Sequence, residues 1–496
     1  MNPGAQPNVL WILCDELRAD AIGSYRTTAD LGPEVRTPEV RTPHMDRIAE
    51  AGVRFDECWA SSPVCVSSRT AMLSGRLPTR TGIFHNEGRY LTPEVPVESF
   101  VRRLGDVGYE TVSLGKEHVP PELKAFATSD SDGAEQFEMM RVTWDHPDEL
   151  GEVVHAIGLH AATWPSGRAY PPRRLTEAAV GWLTDRRPRD QPWLLRVSYL
   201  QPHTPVVVPE PWASRYDNEL WPSRLGPAGG LSDYERAFAA ACGSAELSPG
   251  QIATTHARYH GLVSWIDDQV GAVLDALKAT GELERTIVVF TSDHGAQLGE
   301  SGGAYGKMTF ARHSHRVPMI ISWPGTLTEG EVRADLAAGV DLAATVLDLC
   351  GVEPFVESDG RSLFSDPAPT EVVSAIGYGN PGGRALAMLD RGDFPGGLGW
   401  PQRMCVRTER WRYDRSTRRD GEVLAPPDQD PFLADTWADP AEDTNLVDVG
   451  EHRAVVAQLE GILANHLATA TQTDPERYEH WRAARDRRLS ETWSVS

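Results

Sequence analysis

The chain contains no run approaching the roughly 20 apolar residues that a bilayer-spanning helix needs, so no transmembrane helix is expected. Its opening, MNPGAQPNVLWILCDE, lacks the basic start of a secretory signal, and its apolar run ends in an acidic pair. It reads as a first β-strand rather than an export signal. Cysteine is scarce. Six residues, Cys14, Cys58, Cys65, Cys242, Cys350 and Cys405, are scattered over 496 positions without paired spacing. That pattern speaks against a disulfide framework and for reduced thiols, and a cytoplasmic location is expected. Basic residues are also in deficit, with 48 Lys and Arg against 71 Asp and Glu, a formal net charge of −23. Such a chain repels nucleic acid and anionic membranes at long range. A site for an anionic ester would therefore have to build its own positive field from basic residues and a metal. No internal repeat is visible beyond VRTP, at 35–38 and 40–43, which excludes a solenoid.

What is present is ample apolar material for a large core, 40% of the residues, enough for one large domain with a smaller appendage or for two to three domains. Short apolar, β-rich runs at 9–14, 111–114, 193–200, 286–291 and 319–323 alternate with helical patterns. Each run is nearly continuous, as in strands covered on both faces. The expected fold is α/β, a large, mostly parallel mixed sheet flanked by helices. The clearest helix spans about 257–278, where Tyr259, Leu262, Val263, Ile266, Val270, Val273, Leu274 and Leu277 recur at helical spacing before Gly281. Residues 125–172 read as an insertion and 202–230 as a Pro-rich surface excursion. After about residue 367 the parallel pattern fades. An alternating run at 403–413 and a helix near 453–468 suggest a smaller C-terminal α+β subdomain, giving domains at 1–366 and 367–496. The charged last twenty residues read as peripheral.

Four of the apolar runs end in dense polar clusters: Asp15-Glu16, Gly115-Lys116-Glu117-His118, Gln201-Pro202-His203 and Ser292-Asp293-His294-Gly295. Ligands of open α/β sheets bind beyond the carboxyl ends of the strands. If the four strands are parallel neighbours, the clusters converge on one crevice. Asp15, Glu16, Asp293 and His294 supply carboxylates and an imidazole, suited to Ca, Mg or Mn. Lys116, His118 and His203 add positive charge and proton donors. Together they suit an anionic ester whose charge moves to the leaving oxygen. Taken singly, each has a plainer reading: an Asp after a strand is often a helix cap, and a lone His or Lys is usually solvated or packed. Cys65 lies in PVCVSSRTAMLSG. Ser67 or Ser68 is expected to cap a short helix ending at Gly75, leaving Cys65 just before its positive end. Arg69 would point back to the same spot. The plainer alternative is a buried structural thiol.

At this point the chain resembles the sulfatase family of the alkaline-phosphatase-like superfamily, over about 7–363 with a weaker echo near 439–446. The resemblance rests on Pro7-Asn8-Val9-Leu10 with Asp15-Glu16, on TPHMDRIA from Thr42 with Gly52-Val53-Arg54-Phe55, and on Cys65-Val66-Ser67-Ser68-Arg69 with Leu73-Ser74-Gly75-Arg76. It continues through Gly115-Lys116-Glu117-His118, Gln201-Pro202-His203-Thr204-Pro205, Thr291-Ser292-Asp293-His294-Gly295, and Leu298-Gly299-Glu300 to Gly306-Lys307. It implies hydrolysis of a sulfate ester by a Cα-formylglycine made from Cys65 by a formylglycine-generating enzyme, with one divalent metal, calcium first and Mn or Mg as alternatives. By motif, Asp15, Asp293, His294 and the converted Cys65 would hold the metal, with Glu16 a further candidate. Arg69 and Lys116 would fix the nucleophile and sulfate oxygens. His118 would serve the breakdown of the sulfated intermediate, and His203 and Lys307 would hold the sulfate and protonate the leaving oxygen. The chain departs from the family pattern at Ser67, where relatives carry Pro, and at Glu16, where they carry Asp or Gln. The resemblance also admits a phosphonate monoester or phosphodiester hydrolase, or a silent binding protein with an unmodified thiol. The substrate expected is a small anionic ester, its alcohol part contacted by 125–172, 205–230, His313 and His315, with solvated loop residues as the plainer reading of the two histidines. A homo-oligomer is compatible with all of this.

Overall fold

The structure, a computed structural model, describes residues 6–26, 39–86, 97–130, 150, 154–156, 159–222, 225–227, 229–242, 244–377, 401–419 and 422–470. The first VRTP copy, most of the 131–153 stretch and the last twenty residues lie outside the described residues.

An eight-stranded sheet forms the centre. Its strands are β1 (Asn8–Asp15), β2 (Val53–Trp59), β3 (Glu110–Gly115), β4 (Thr128–Asp130), β5 (Trp193–Pro202), β6 (Thr286–Ser292), β7 (Met319–Ser322) and β8 (Glu331–Ala338), in the spatial order β8-β2-β7-β6-β1-β5-β3-β4. Only β7 runs against the rest, pairing antiparallel with both β6 and β2. Alternation along β1 shows why the apolar run is continuous. Leu10, Ile12 and Cys14 enter one core, and Val9, Trp11 and Leu13 enter the other. Successive strand residues face opposite sides, so a strand covered on both faces needs both sets apolar. Each such Leu or Ile contributes about 2 kcal/mol through the area removed from water.

Helices close both faces. On one side lies α4 (Pro249–Ala279), joined by α1 (Pro43–Glu50) and preceded by α3 (Asp233–Ala241). On the other lie α2 (Cys65–Ser74) and α5 (Asp341–Leu349). The periodicity that predicts a helix from about 257 is met by one that starts earlier, because Ser248 accepts from Gln251 N in a reciprocal capping box. The chain then passes Gly281, at φ +72°, and enters β6.

The alternating run at 403–413 covers most of β10 (Gln402–Thr408), a turn at 409–410 and the start of β11 (Trp411–Arg419), which pair as an antiparallel hairpin. With β9 (Glu371–Ile376), β12 (Glu422–Val423) and β13 (Phe432–Asp435) these form a five-stranded antiparallel sheet. The helix Arg453–Ala468 packs against it. The excursions beginning at 125 and 205 also meet: Val154–Ala156, Leu159–Thr163 and Val206–Val208 form a three-stranded sheet beside α4. No described helix is long and apolar enough to cross a membrane.

Candidate active site

Strands β6, β1, β5 and β3 are consecutive parallel neighbours. Their carboxyl ends therefore lie side by side, and the four polar clusters do meet in one place. At the ends of β1 and β3 the chain turns sharply to present a side chain. Glu16 has φ +64° and His118 φ +43°. Gly115 has φ +84°, and a Cβ there would stand 2.3 Å from the Ser198 carbonyl oxygen, so only glycine lets Lys116 leave β3 at this point.

Cys65 approaches from α2. It is the first residue of that helix and fully buried. The serines do not cap, contrary to expectation: Val64 occupies the cap position without a side-chain bond. The hydroxyl of Ser67 donates to the Ile83 carbonyl, and that of Ser68 to the Asp293 carbonyl at 2.6 Å. These serines lock α2 to its surroundings, and Gly75, at φ +67°, ends it. Arg69, one turn after Cys65, shares its face. Its guanidinium donates to Asp293 Oδ2 at 2.7 Å, Asp15 Oδ2 at 3.3 Å, the Lys116 carbonyl at 2.9 Å and Ser198 Oγ at 2.9 Å.

Around Cys65 Sγ stand His294 Nε2 at 3.2 Å, Lys307 Nζ at 3.0 Å and Asp15 Oδ1 at 3.8 Å. Lys307 Nζ also reaches His203 Nε2 at 2.8 Å and Glu16 Oε1 at 2.8 Å. Lys116 pairs with Asp15 Oδ2, and the exposed His118 side chain stands at the rim, where it helps to lower the Cys65 thiol. The electrostatics follow. Burial would raise the Cys65 thiol, but Lys116, Lys307 and His294 bring it well below the usual thiol range. Burial and the Asp15 charge push Asp293 up. Burial would lower His294, but Asp293 and Cys65 raise it to about 9. A buried imidazole raised in this way, 3.7 Å from each of two carboxylates, marks a place built for positive charge.

The donor set fits a divalent cation. Asp15, Cys65, Asp293 and His294 each offer one atom, all within 4.8 Å of one another, and all four residues are buried. Two hard carboxylate oxygens and one imidazole suit Ca, Mg or Mn. Glu16 is not in this group. It forms a second one with Asp15 and His203, and its carboxylate pairs with Lys307 and lies 3.6 Å from His203.

Of the two histidines named from sequence as contacts of the alcohol part or solvated loop residues, His313 lies 2.8 Å from the Arg18 guanidinium and 3.4 Å from Asp20. His315 is not on a rim at all. It is buried, within 2.9 Å of the Ala60 carbonyl and 2.8 Å of Ser374 Oγ, and it accepts from Arg407 at 3.1 Å. Docking of the C-terminal sheet seals it. Sequence reasoning also missed Ser198, Asn86 and Tyr259. Asn86 Oδ1 accepts from Val66 N at 3.1 Å, and the Tyr259 hydroxyl donates to the Glu16 carbonyl at 2.6 Å. No local signal marks them, because each meets its partner only in the folded chain.

Known proteins resemble this chain in sequence and in fold. The sulfatase family model matches residues 7–352. The choline-sulfatase of Rhizobium meliloti is 26% identical over 89% of this chain and 83% of its own length. An arylsulfatase of Clostridium perfringens is 26% identical over 72% of this chain and 78% of its own. Among solved structures, the phosphonate monoester hydrolase from Silicibacter pomeroyi superposes with a TM-score of 0.71 at 23% identity, covering 94% of this chain and 96% of that one. It shares the fold.

Proposed function

This chain belongs to the sulfatase family, and from that premise we propose that it hydrolyses a sulfate ester to an alcohol and inorganic sulfate through a Cα-formylglycine made from Cys65. Family members are hydrolases of sulfuric esters, as the names of the choline-sulfatase and arylsulfatase relatives say of those proteins. The observation that carries the finer reading is the position of Cys65 Sγ, at 3.0 Å from Lys307 Nζ and 3.2 Å from His294 Nε2, inside the buried four-donor group. A structural thiol has no need of two cations and two carboxylates.

Asp15, Asp293, His294 and residue 65 would hold one divalent cation, calcium by preference, with Mn or Mg as alternatives. When bound, that cation neutralises the carboxylates and acidifies the hydroxyl of the hydrated aldehyde that attacks sulfur. The chain's own residues do the rest. Arg69 fixes both Asp15 and Asp293, so the donors do not spread under their mutual repulsion. Lys116 balances Asp15 and faces the sulfate oxygens. Lys307 and His203, joined at 2.8 Å, are placed to hold the sulfate and pass a proton to the leaving oxygen. Glu16 pairs with Lys307 and lies beside His203, which keeps the two in position. His118 takes a proton from the second hydroxyl of residue 65, so that sulfate leaves and the aldehyde returns. A formylglycine-generating enzyme is the partner this requires, and the substrate is a small anionic ester.

A second reading is phosphonate monoester or phosphodiester hydrolysis, because the same donor set neutralises a phosphorus ester equally well. Rates on 4-nitrophenyl sulfate and 4-nitrophenyl phenylphosphonate separate the two. We expect faster sulfate release, and a preference for the phosphonate would reverse the assignment. Mass spectrometry of the peptide holding residue 65 should find an aldehyde. An intact thiol, together with no turnover, would favour a silent binding protein, the outcome that Ser67 in place of Pro makes worth testing.

A further inference from the structure

Lys307 stands on a segment whose backbone is anchored from outside the catalytic strands. Met308, next in sequence, adopts φ +83°, a left-handed conformation that is costly for a side chain of this size. Its N–H donates to the Pro63 carbonyl at 3.1 Å, two residues before Cys65. Its own carbonyl accepts from the Tyr234 hydroxyl of α3 at 2.8 Å. Two residues on, the Phe310 carbonyl accepts from Arg407 Nη2 of β10 at 2.6 Å.

Two of these three anchors, Tyr234 and Arg407, are themselves held by the C-terminal sheet. Tyr234 is 2% exposed, its ring carries the Arg403 guanidinium 5.0 Å from the centroid, and its backbone N–H donates to Asp430 at 2.8 Å. Arg407 is 1% exposed, stacks 3.8 Å above the Trp59 ring and is paired with Glu442 at 2.5 and 2.9 Å. Arg412 links Glu442 to Glu235 on α3, beside Tyr234. A strained peptide next to a functional lysine persists only where its surroundings fix it, and here, besides the Pro63 carbonyl, the fixing groups belong to α3 and the C-terminal sheet.

We infer that Tyr234 and Arg407 are positioning residues for Lys307, and that through them the C-terminal sheet is a working part of the active site. Neither touches the reacting atoms. They hold the Met308 and Phe310 carbonyls so that the Lys307 ammonium meets residue 65 and His203. The inference rests on the proton-donating role given to Lys307 above, but the tether itself can be read without turnover.

The test is Tyr234→Phe in the full chain, which removes one hydroxyl and keeps the ring under Arg403. Loss of one hydrogen bond should raise amide hydrogen exchange across residues 305–312 by about tenfold, with exchange elsewhere unchanged and only a small fall in melting temperature. Exchange equal to wild type would overturn the inference whatever the activity. In steady-state assays, kcat should fall by about tenfold on phenyl sulfate, whose leaving group needs a proton, and by less on 4-nitrophenyl sulfate, whose leaving group hardly does. Equal losses on the two esters, or none, would also overturn it. If wild-type protein released sulfate from neither ester, the sulfatase assignment would fail, and the exchange result would still decide the tether.

Discussion

At the residue scale, the site is a balance of buried charge. Asp15 and Asp293 are both fully buried, and the Arg69 guanidinium donates to both, with the His294 imidazole 3.7 Å from each. Burial and Cys65 push the Asp15 carboxyl up, and Lys116, His203 and Arg69 outweigh them, so it stays charged. Such a site gains free energy by binding a cation, and a ligand that binds only the folded state stabilises it by mass action. Calcium should therefore raise the melting temperature of wild-type protein, and a chelator should reverse the rise. In Asp293→Asn the calcium-dependent rise should disappear while the chelated protein melts close to wild type. A full calcium response in that variant would show that the ion binds elsewhere, for example at the group formed by His44, Asp267 and Asp268.

At the element scale, the site depends on where strands stop. Gly115 ends β3 at φ +84°, with the Ser198 carbonyl occupying the space of a side chain. Gly115→Ala is expected to cost about 2 kcal/mol or more, from the left-handed backbone and the clash together, and to lower kcat/KM by moving Lys116. Urea unfolding and steady-state kinetics check both. A variant as stable and active as wild type would mean that β3 can shift freely. The strand ends themselves were legible in the sequence, because near-continuous apolar runs broke off into Asp, His and Lys at four places. The start of α2 was not. The rule that serine caps helices pointed to Ser67 and Ser68, but their hydroxyls are committed to Ile83 and Asp293 carbonyls, and the helix begins at Cys65. The reversed direction of β7 and the hairpin inside 403–413 were equally hidden, since strand direction and turn position come from long-range pairing that a composition pattern does not carry. Tyr234 and Ser198 escaped for the same reason: Ser198 meets Arg69 across 129 positions of sequence.

At the scale of the whole molecule, buried titratable groups set the acid limit. In Glu442, burial alone would raise the carboxyl, but Arg407 and Arg412 hold it down to about 2, and in Glu300 Arg18 has the same effect, to about 2. Their stabilisation is present above the unfolded value of 4.5 and is lost as pH falls toward 2. His256 and His260 are kept neutral by burial, at about 4 and about 3, so the unfolded chain takes up protons first and stability falls below pH 6.5. Burial acts in the opposite sense at Asp267, Asp341 and Asp443, pushed up to about 7, about 6 and about 6. These acids bind protons earlier in the folded state and offset the histidines. Melting temperature should therefore change little from pH 6.5 to 4.5 and drop steeply below 4.5. A steep fall already between pH 6.5 and 5.5 would show that the histidines outweigh the acids.

Sulfate release is the most direct test of the catalytic assignment. Ion chromatography of inorganic sulfate from 4-nitrophenyl sulfate should detect turnover by the wild-type protein and none by Cys65→Ala, with both unfolding at similar temperatures because residue 65 carries little packing. Sulfate released at the wild-type rate by Cys65→Ala would contradict the account outright.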